Sequence, residues 1–209
     1  MGTERASFEP PIEEAKAVTG LLIALMAVDL IAAVSGFLEL SLLIEIDAGV
    51  IPSTDVIVSS DRRQRVIELF HFALFITTAI FWIRWFRKSY GNLSVRAVGP
   101  LRFPIWQATW AWFVPVLNLF RPKQLTDDIW RATDLEKRIP FWLHAWWAAA
   151  VTSAVAGVAG TGIVRAGDEV RDILIGSWLS TAGDLIGAVS VLLAVTLVRR
   201  ITERQNAWQ

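Results

Sequence analysis

Four stretches of this chain, at about 17–44, 66–86, 139–164 and 173–198, are almost wholly apolar. Each is longer than the roughly 18 residues needed to cross a bilayer core of about 30 Å. In lipid every backbone N–H and C=O must find a partner within the protein, so runs of this kind cross as α-helices. The expected fold is therefore an all-α integral membrane protein with four transmembrane helices. Composition agrees: 54% of the residues are hydrophobic and the mean hydropathy is +0.47. The formal net charge is zero and there is no cysteine. The charge balance offers nothing to nucleic acid, and the absence of thiols excludes disulfides and Cys-ligated clusters.

Residues 1–16 read as a polar N-terminal tail carrying Glu4, Glu9, Glu13 and Glu14. The tail has no basic n-region, so the first apolar run is not a signal peptide. Residues 17–205 read as a single helical membrane domain. The stretch 45–62 is expected to be an acidic loop, with a Pro52-Ser53 turn and a short β-prone Val56-Ile57-Val58. Residues 103–121 are different in kind. They hold Trp106, Trp110, Trp112 and Phe113, and Pro104 and Pro115 break them. Only 105–120 are free of charge, which is short for a span and suits a re-entrant or interfacial segment. Residues 122–136 then read as an amphipathic surface helix. Pro122 fits its first turn, and Leu125, Ile129, Thr133 and Leu135 lie roughly on one face.

Topology follows from Lys and Arg in the short loops. Residues 84–102 hold five (Arg84, Arg87, Lys88, Arg96, Arg102), and 121–138 hold five more (Arg121, Lys123, Arg131, Lys137, Arg138). A dip at 103–121 keeps both groups in the cytoplasm, and with them the surface helix and both termini. A fifth span there would put them on opposite sides. Arg62, Arg63 and Arg65 count against the four-span arrangement, but the 84–102 group outweighs them.

The central residues also carry a family pattern. Trp85, Asn92-Leu93, Leu101-Arg102-Phe103-Pro104 with Trp106, Trp112-Phe113-Val114-Pro115, Asn118-Leu119, Pro122 and Asp128-Ile129-Trp130-Arg131-Ala132-Thr133-Asp134 form its centre. Val198-Arg199-Arg200-Ile201-Thr202 with Arg204-Gln205 form its end. Over roughly 65–205 the chain resembles the bacterial membrane family called domain of unknown function 4328. The resemblance implies a multi-pass protein of the bacterial inner membrane, and it brings no activity, substrate or catalytic residue.

Two groups of residues are candidates for function. Asp29 and Asp184 sit inside spans, where a charged side chain costs about 2.5–3.5 kcal/mol and so turns to the protein interior. Counting about 1.5 Å per residue from the span ends puts both near the midplane. Thr181 and Ser180 lie one turn from Asp184. Together these four form a candidate intramembrane polar site for a proton or cation, or a set of interhelical hydrogen bonds. The second group is Trp106, Trp110, Trp112, Phe113, Pro115, Asn118, Trp130 and Arg131, a docking or interfacial surface. His71 and His144 are expected to be packed or hydrogen-bonded. Their span positions differ by roughly 12–15 Å in depth, too far for two ligands of one haem iron. Small residues at Gly183 and Gly187, and at Ser153, Ala156, Gly157 and Gly160, suit close packing of the last two spans or a homodimer.

No nucleophile–base constellation, phosphate-binding Gly loop or metalloprotease motif occurs. The reading is a multi-pass cell-membrane protein with no enzyme chemistry, cofactor or metal. Its expected role is accessory or scaffolding, docking a protein or lipid through 103–134. A small proton- or cation-linked permease built on the intramembrane carboxylates is the alternative. The expected partners are membrane lipids, with a protein or a second copy of the chain as further candidates.

Overall fold

The computed structural model describes residues 8–96, 100–134 and 136–208. It holds α1 (Ile12–Asp47), α2 (Thr54–Val95), α3 (Gln107–Trp110), α4 (Pro115–Asn118), α5 (Arg121–Thr133), α6 (Phe141–Ala166) and α7 (Val170–Asn206), with no strand among the described residues. Helices α1, α2, α6 and α7 are long and apolar enough to cross a membrane. The all-α membrane architecture is therefore as expected. Large apolar side chains on these helices remain exposed, including Ile31, Val34 and Leu38 on α1 and Leu69, Phe72 and Phe75 on α2. Apolar surface of this extent needs lipid or protein to cover it.

The long helices run past the apolar stretches. Helix α1 begins inside the expected polar tail, of which residues 1–7 lie outside the description. The largest change is at 45–62. Helix α1 ends where Gly49 adopts φ 87°, a left-handed conformation that glycine enters without a steric penalty. The Val50 amide then bonds back to Glu45 O at 3.0 Å. Within a few residues Ser53 O accepts the amides of Val56 and Ile57, and α2 starts at Thr54. Val56-Ile57-Val58 are thus helical, not extended. β-Branched residues disfavour a helix only slightly, and neighbouring packing overrides that preference.

The described contacts form two units, and each long helix contributes to both. The first comprises residues 1–21, 77–144 and 194–209. Trp85, Phe86, Leu125, Ile129, Leu143, Leu197, Val198 and Ile201 are fully buried there. Polar bonds fasten the core. Trp85 Nε1–H donates to Thr202 Oγ1 at 3.0 Å. Asn92 Nδ2 donates to Gln205 Oε1 at 3.1 Å and to Glu9 O at 2.9 Å. Gln205 Nε2 donates in turn to Ser89 O at 2.8 Å. In low dielectric, bonds of this kind fix one arrangement, because each group left unmade costs its full desolvation penalty.

The second unit comprises residues 22–76 and 145–193. Its α6–α7 seam is the small-residue stripe. A Cβ on Gly160 would lie 2.6 Å from Gly176 O, and one on Gly183 would lie 3.3 Å from Ala156 Cβ. Ser153 Oγ donates across the seam to Gly183 O at 2.9 Å. The Gly183/Gly187 pattern is thus occupied within this chain, by α6.

Candidate functional site

In the second unit, α1 and α7 meet in antiparallel register. Asp29 Oδ2 lies 3.7 Å from the position of a Cβ on Gly187, and Thr181 Cβ lies 3.3 Å from one on Gly36. This register sets Asp184 against the turn of α1 that follows Asp29, an axial offset of about 5 Å. The two carboxylates therefore sit at neighbouring levels. Asp29 is buried, 5% exposed, and its Oδ1 is 2.8 Å from His71 Nε2. His71 was expected to be packed or hydrogen-bonded, and it is bonded to Asp29; α2 starts at Thr54, so several turns of helix precede it.

His71 lines a cavity of about 530 Å³. Asp184, Thr181 and Ser180 line the same cavity, with Glu39, Gln64 and Glu68. Asp29 does not line it and is linked to it through His71. At one side, Gln64 donates to Glu39, Ser35 Oγ donates to Gln64 Oε1 at 2.8 Å, and Arg63 Nε donates to Ser35 Oγ at 2.8 Å. Arg63 also reaches Ser60 Oγ at 3.1 Å. One of the three arginines that counted against the topology is thus engaged inside the protein. Glu39, Gln64 and Glu68 were missed as site residues because 45–62 read as a loop and Glu39 as a span end. An i, i+4 spacing of Gln64 and Glu68 beneath His71 was the available signal.

The second candidate group is split by the fold of the first unit. Trp106, Trp110 and Phe113 are exposed, as is Pro115, and Asn118 is half-buried at the end of α4. Trp112 turns inward, its ring edge-on to Trp82 (5.9 Å) and Phe86 (5.5 Å). Trp130 is buried, donates Nε1–H to Arg138 O at 2.9 Å, and packs edge-on against Trp142 at 5.2 Å. Arg204 lies over the Trp130 ring at 4.1 Å and pairs with Asp134 at 2.9 Å. The apolar face of α5, with Leu125 and Ile129 fully buried, is thus covered by the protein itself. Helix α5 ends at Thr133, shorter than expected, and Leu135 lies outside the described residues. Arg131 is exposed.

Several residues of the family pattern are among these fasteners: Trp85 with Thr202, Asn92 with Gln205, and Asp134 and Trp130 with Arg204. The family model described as Domain of unknown function (DUF4328) matches residues 49–203. The chain belongs to this family. The match begins just after α1, so Asp29 lies outside it, whereas His71, Asp184 and the rest of the cavity wall from α2, α6 and α7 lie inside. No curated protein and no solved structure matches the chain.

Proposed function

We propose that this member of the family is a small proton- or cation-linked permease working through the cavity of its second unit. The observation that carries this reading is the Asp29–His71 pair at 2.8 Å, joined to a cavity that Asp184 also lines. Ionisable groups within membrane helices are expensive and mark ion or proton paths. Imidazole changes charge near neutral pH and passes a proton between its two nitrogens. Asp29 holds one nitrogen, and the ring lines the cavity. Asp184, Thr181 and Ser180 supply oxygen ligands on the α7 wall. Such a set accepts a proton or a small cation in exchange.

The docking role expected from 103–134 loses part of its basis, because α5 spends its apolar face on its own chain. Trp106, Trp110 and Phe113 still offer exposed aromatic surface, which suits the bilayer interface.

The test is cation-driven proton movement in liposomes holding a pH dye. Adding sodium, potassium or lithium outside is expected to shift lumenal pH in liposomes that contain the protein. Asp184→Asn and Asp29→Asn should abolish the shift while leaving the elution profile in detergent intact. Wild-type liposomes indistinguishable from empty ones under all three cations, or full activity in the double variant, would overturn the reading.

A further inference from the structure

A second cavity, of about 240 Å³, lies in the first unit. Tyr90 and Leu93 from the end of α2 line it, with Arg102, Asp128 and Arg131 from α5 and its approach, and Lys137 beyond α5. Tyr90 sets one wall. Its O–H donates to Phe103 O at 3.0 Å, and the Phe103 amide donates back to Tyr90 Oη at 3.1 Å. The Phe103 ring then carries Arg102 at 4.8 Å and Arg121 at 3.9 Å over its faces, which holds the Arg102 backbone and stem in place.

The charges in this cavity are left incompletely matched. The Lys137 amide bonds to Asp134 O at 3.2 Å and Arg131 stands near enough to favour the charge on Asp128, but neither side chain makes a hydrogen bond or an ion pair among the described residues. Asp128 meets Arg102 only at 4.0 Å. Its Oδ2 is buried without a hydrogen-bond partner. Lys137 also holds φ 53°, the only positive φ outside glycine among the described residues. A lysine kept in that conformation is strained, and such strain gathers where a side chain serves a site.

We infer that this cavity binds a phosphate ester with a neighbouring hydroxyl, as in a glycerophosphate headgroup. Arg102, Arg131 and Lys137 take the phosphate oxygens, and Asp128 Oδ2 accepts the hydroxyl. Arginine forks suit phosphate, and charge-assisted bonds of this kind are the strong ones. An unpaired buried carboxylate oxygen selects a ligand with a donor beside its anionic group, since an acceptor there is repelled. Trp106, Trp110 and Phe113, which follow Arg102 in the chain, are exposed, and aromatic side chains of this kind favour headgroup level. The ester arrives either on a lipid or as a free polyol phosphate.

The experiment is native mass spectrometry of the detergent-purified chain, titrated with phosphatidylglycerol, phosphatidylmethanol, phosphatidylcholine and free glycerol 1-phosphate. Phosphatidylmethanol carries the same charge as phosphatidylglycerol without its hydroxyls. Phosphatidylglycerol is expected to bind most tightly of the lipids. Arg131→Gln with Lys137→Gln should weaken it by about tenfold or more, one charge-assisted bond's worth. Asp128→Ala should erase the preference over phosphatidylmethanol. Lys137→Gly removes the charge while relaxing the backbone, so binding should fall with the melting temperature kept or raised. Binding of glycerol 1-phosphate without the lipid assigns a free polyol phosphate as occupant. Equal binding of all lipids would overturn the site. So would an equal loss on replacing the exposed Arg84 and Arg87, which lie outside the cavity. None of these readings depends on proton movement through the other unit.

Discussion

At the scale of single residues, the tightest constraint is a missing side chain. Gly160 approaches Gly176 O so closely that a methyl group has no room. Gly162, two residues on, has open space around it. Gly160→Ala is therefore expected to lower the melting temperature in detergent by the equivalent of about 1–3 kcal/mol. Gly162→Ala should raise it slightly, since alanine is the better helix former by about 1 kcal/mol. Equal effects from the two would mean the seam is not set by close approach. Asp128 gives a pH signature. Burial raises its pKa above the ordinary carboxylate value, and the cations nearby only partly offset this. A raised folded-state pKa contributes stability that is present below the unfolded pKa and lost as pH rises through the folded one. Ionised Asp128 therefore costs stability at neutral pH. Asp128→Asn should raise the melting temperature at pH 7, and the gain should vanish below about pH 4. A gain that is constant with pH would place its cause elsewhere.

At the scale of elements, α5 shows how far sequence reasoning reaches. Pro122 at its start and the spacing of Leu125 and Ile129 made the helix legible. Its destination was not, because amphipathicity says that one face is covered and not by what. Trp130 decides it, through Trp142, Arg138 and Arg204. Trp130→Ala should cost about 3–5 kcal/mol and loosen α5 from the ends of α6 and α7. Hydrogen exchange read by mass spectrometry would then rise across 121–133 before it rises in α2. Unchanged protection there would show that α5 is held some other way. The start of α2 went the other way. Charges at Asp61, Arg62, Arg63 and Arg65 and the β-branched Val56-Ile57-Val58 masked a helix that Ser53, Thr54 and Asp55 announce as an N-terminus. That single misreading left out the helical turns before His71 that carry Gln64 and Glu68 beside it. The two carboxylates themselves were legible, because an acid inside an apolar run needs a reason. Their histidine was not, since pairing across 42 residues leaves no local pattern.

At the scale of the whole molecule, the question is how many times the chain crosses. Composition and run length made four helices plain. The Trp-rich stretch stayed ambiguous, because its charge-free part is short for a span yet as apolar as one. Within the first unit its two flanks come together. Arg102 precedes it and Asp128 follows it, and the two are 4.0 Å apart. A straight crossing of 105–120 would separate its flanks by about the 30 Å of a bilayer core. A return through the two single turns α3 and α4 accounts for this meeting, and a straight crossing does not. Phe8 and Trp208, near the two ends of the described chain, also meet, with ring centroids 5.9 Å apart. An even number of crossings would bring the ends together in this way, and the count of Lys and Arg in the loops predicts that this side is the cytoplasm. The absence of native cysteine makes this directly measurable. Ser94→Cys and Glu136→Cys flank the stretch at exposed positions. In sealed cells both are expected to resist an impermeant maleimide, and in inverted vesicles both should react. Labelling of one from outside and the other only from inside would make 103–121 a fifth crossing and separate Arg102 from Asp128.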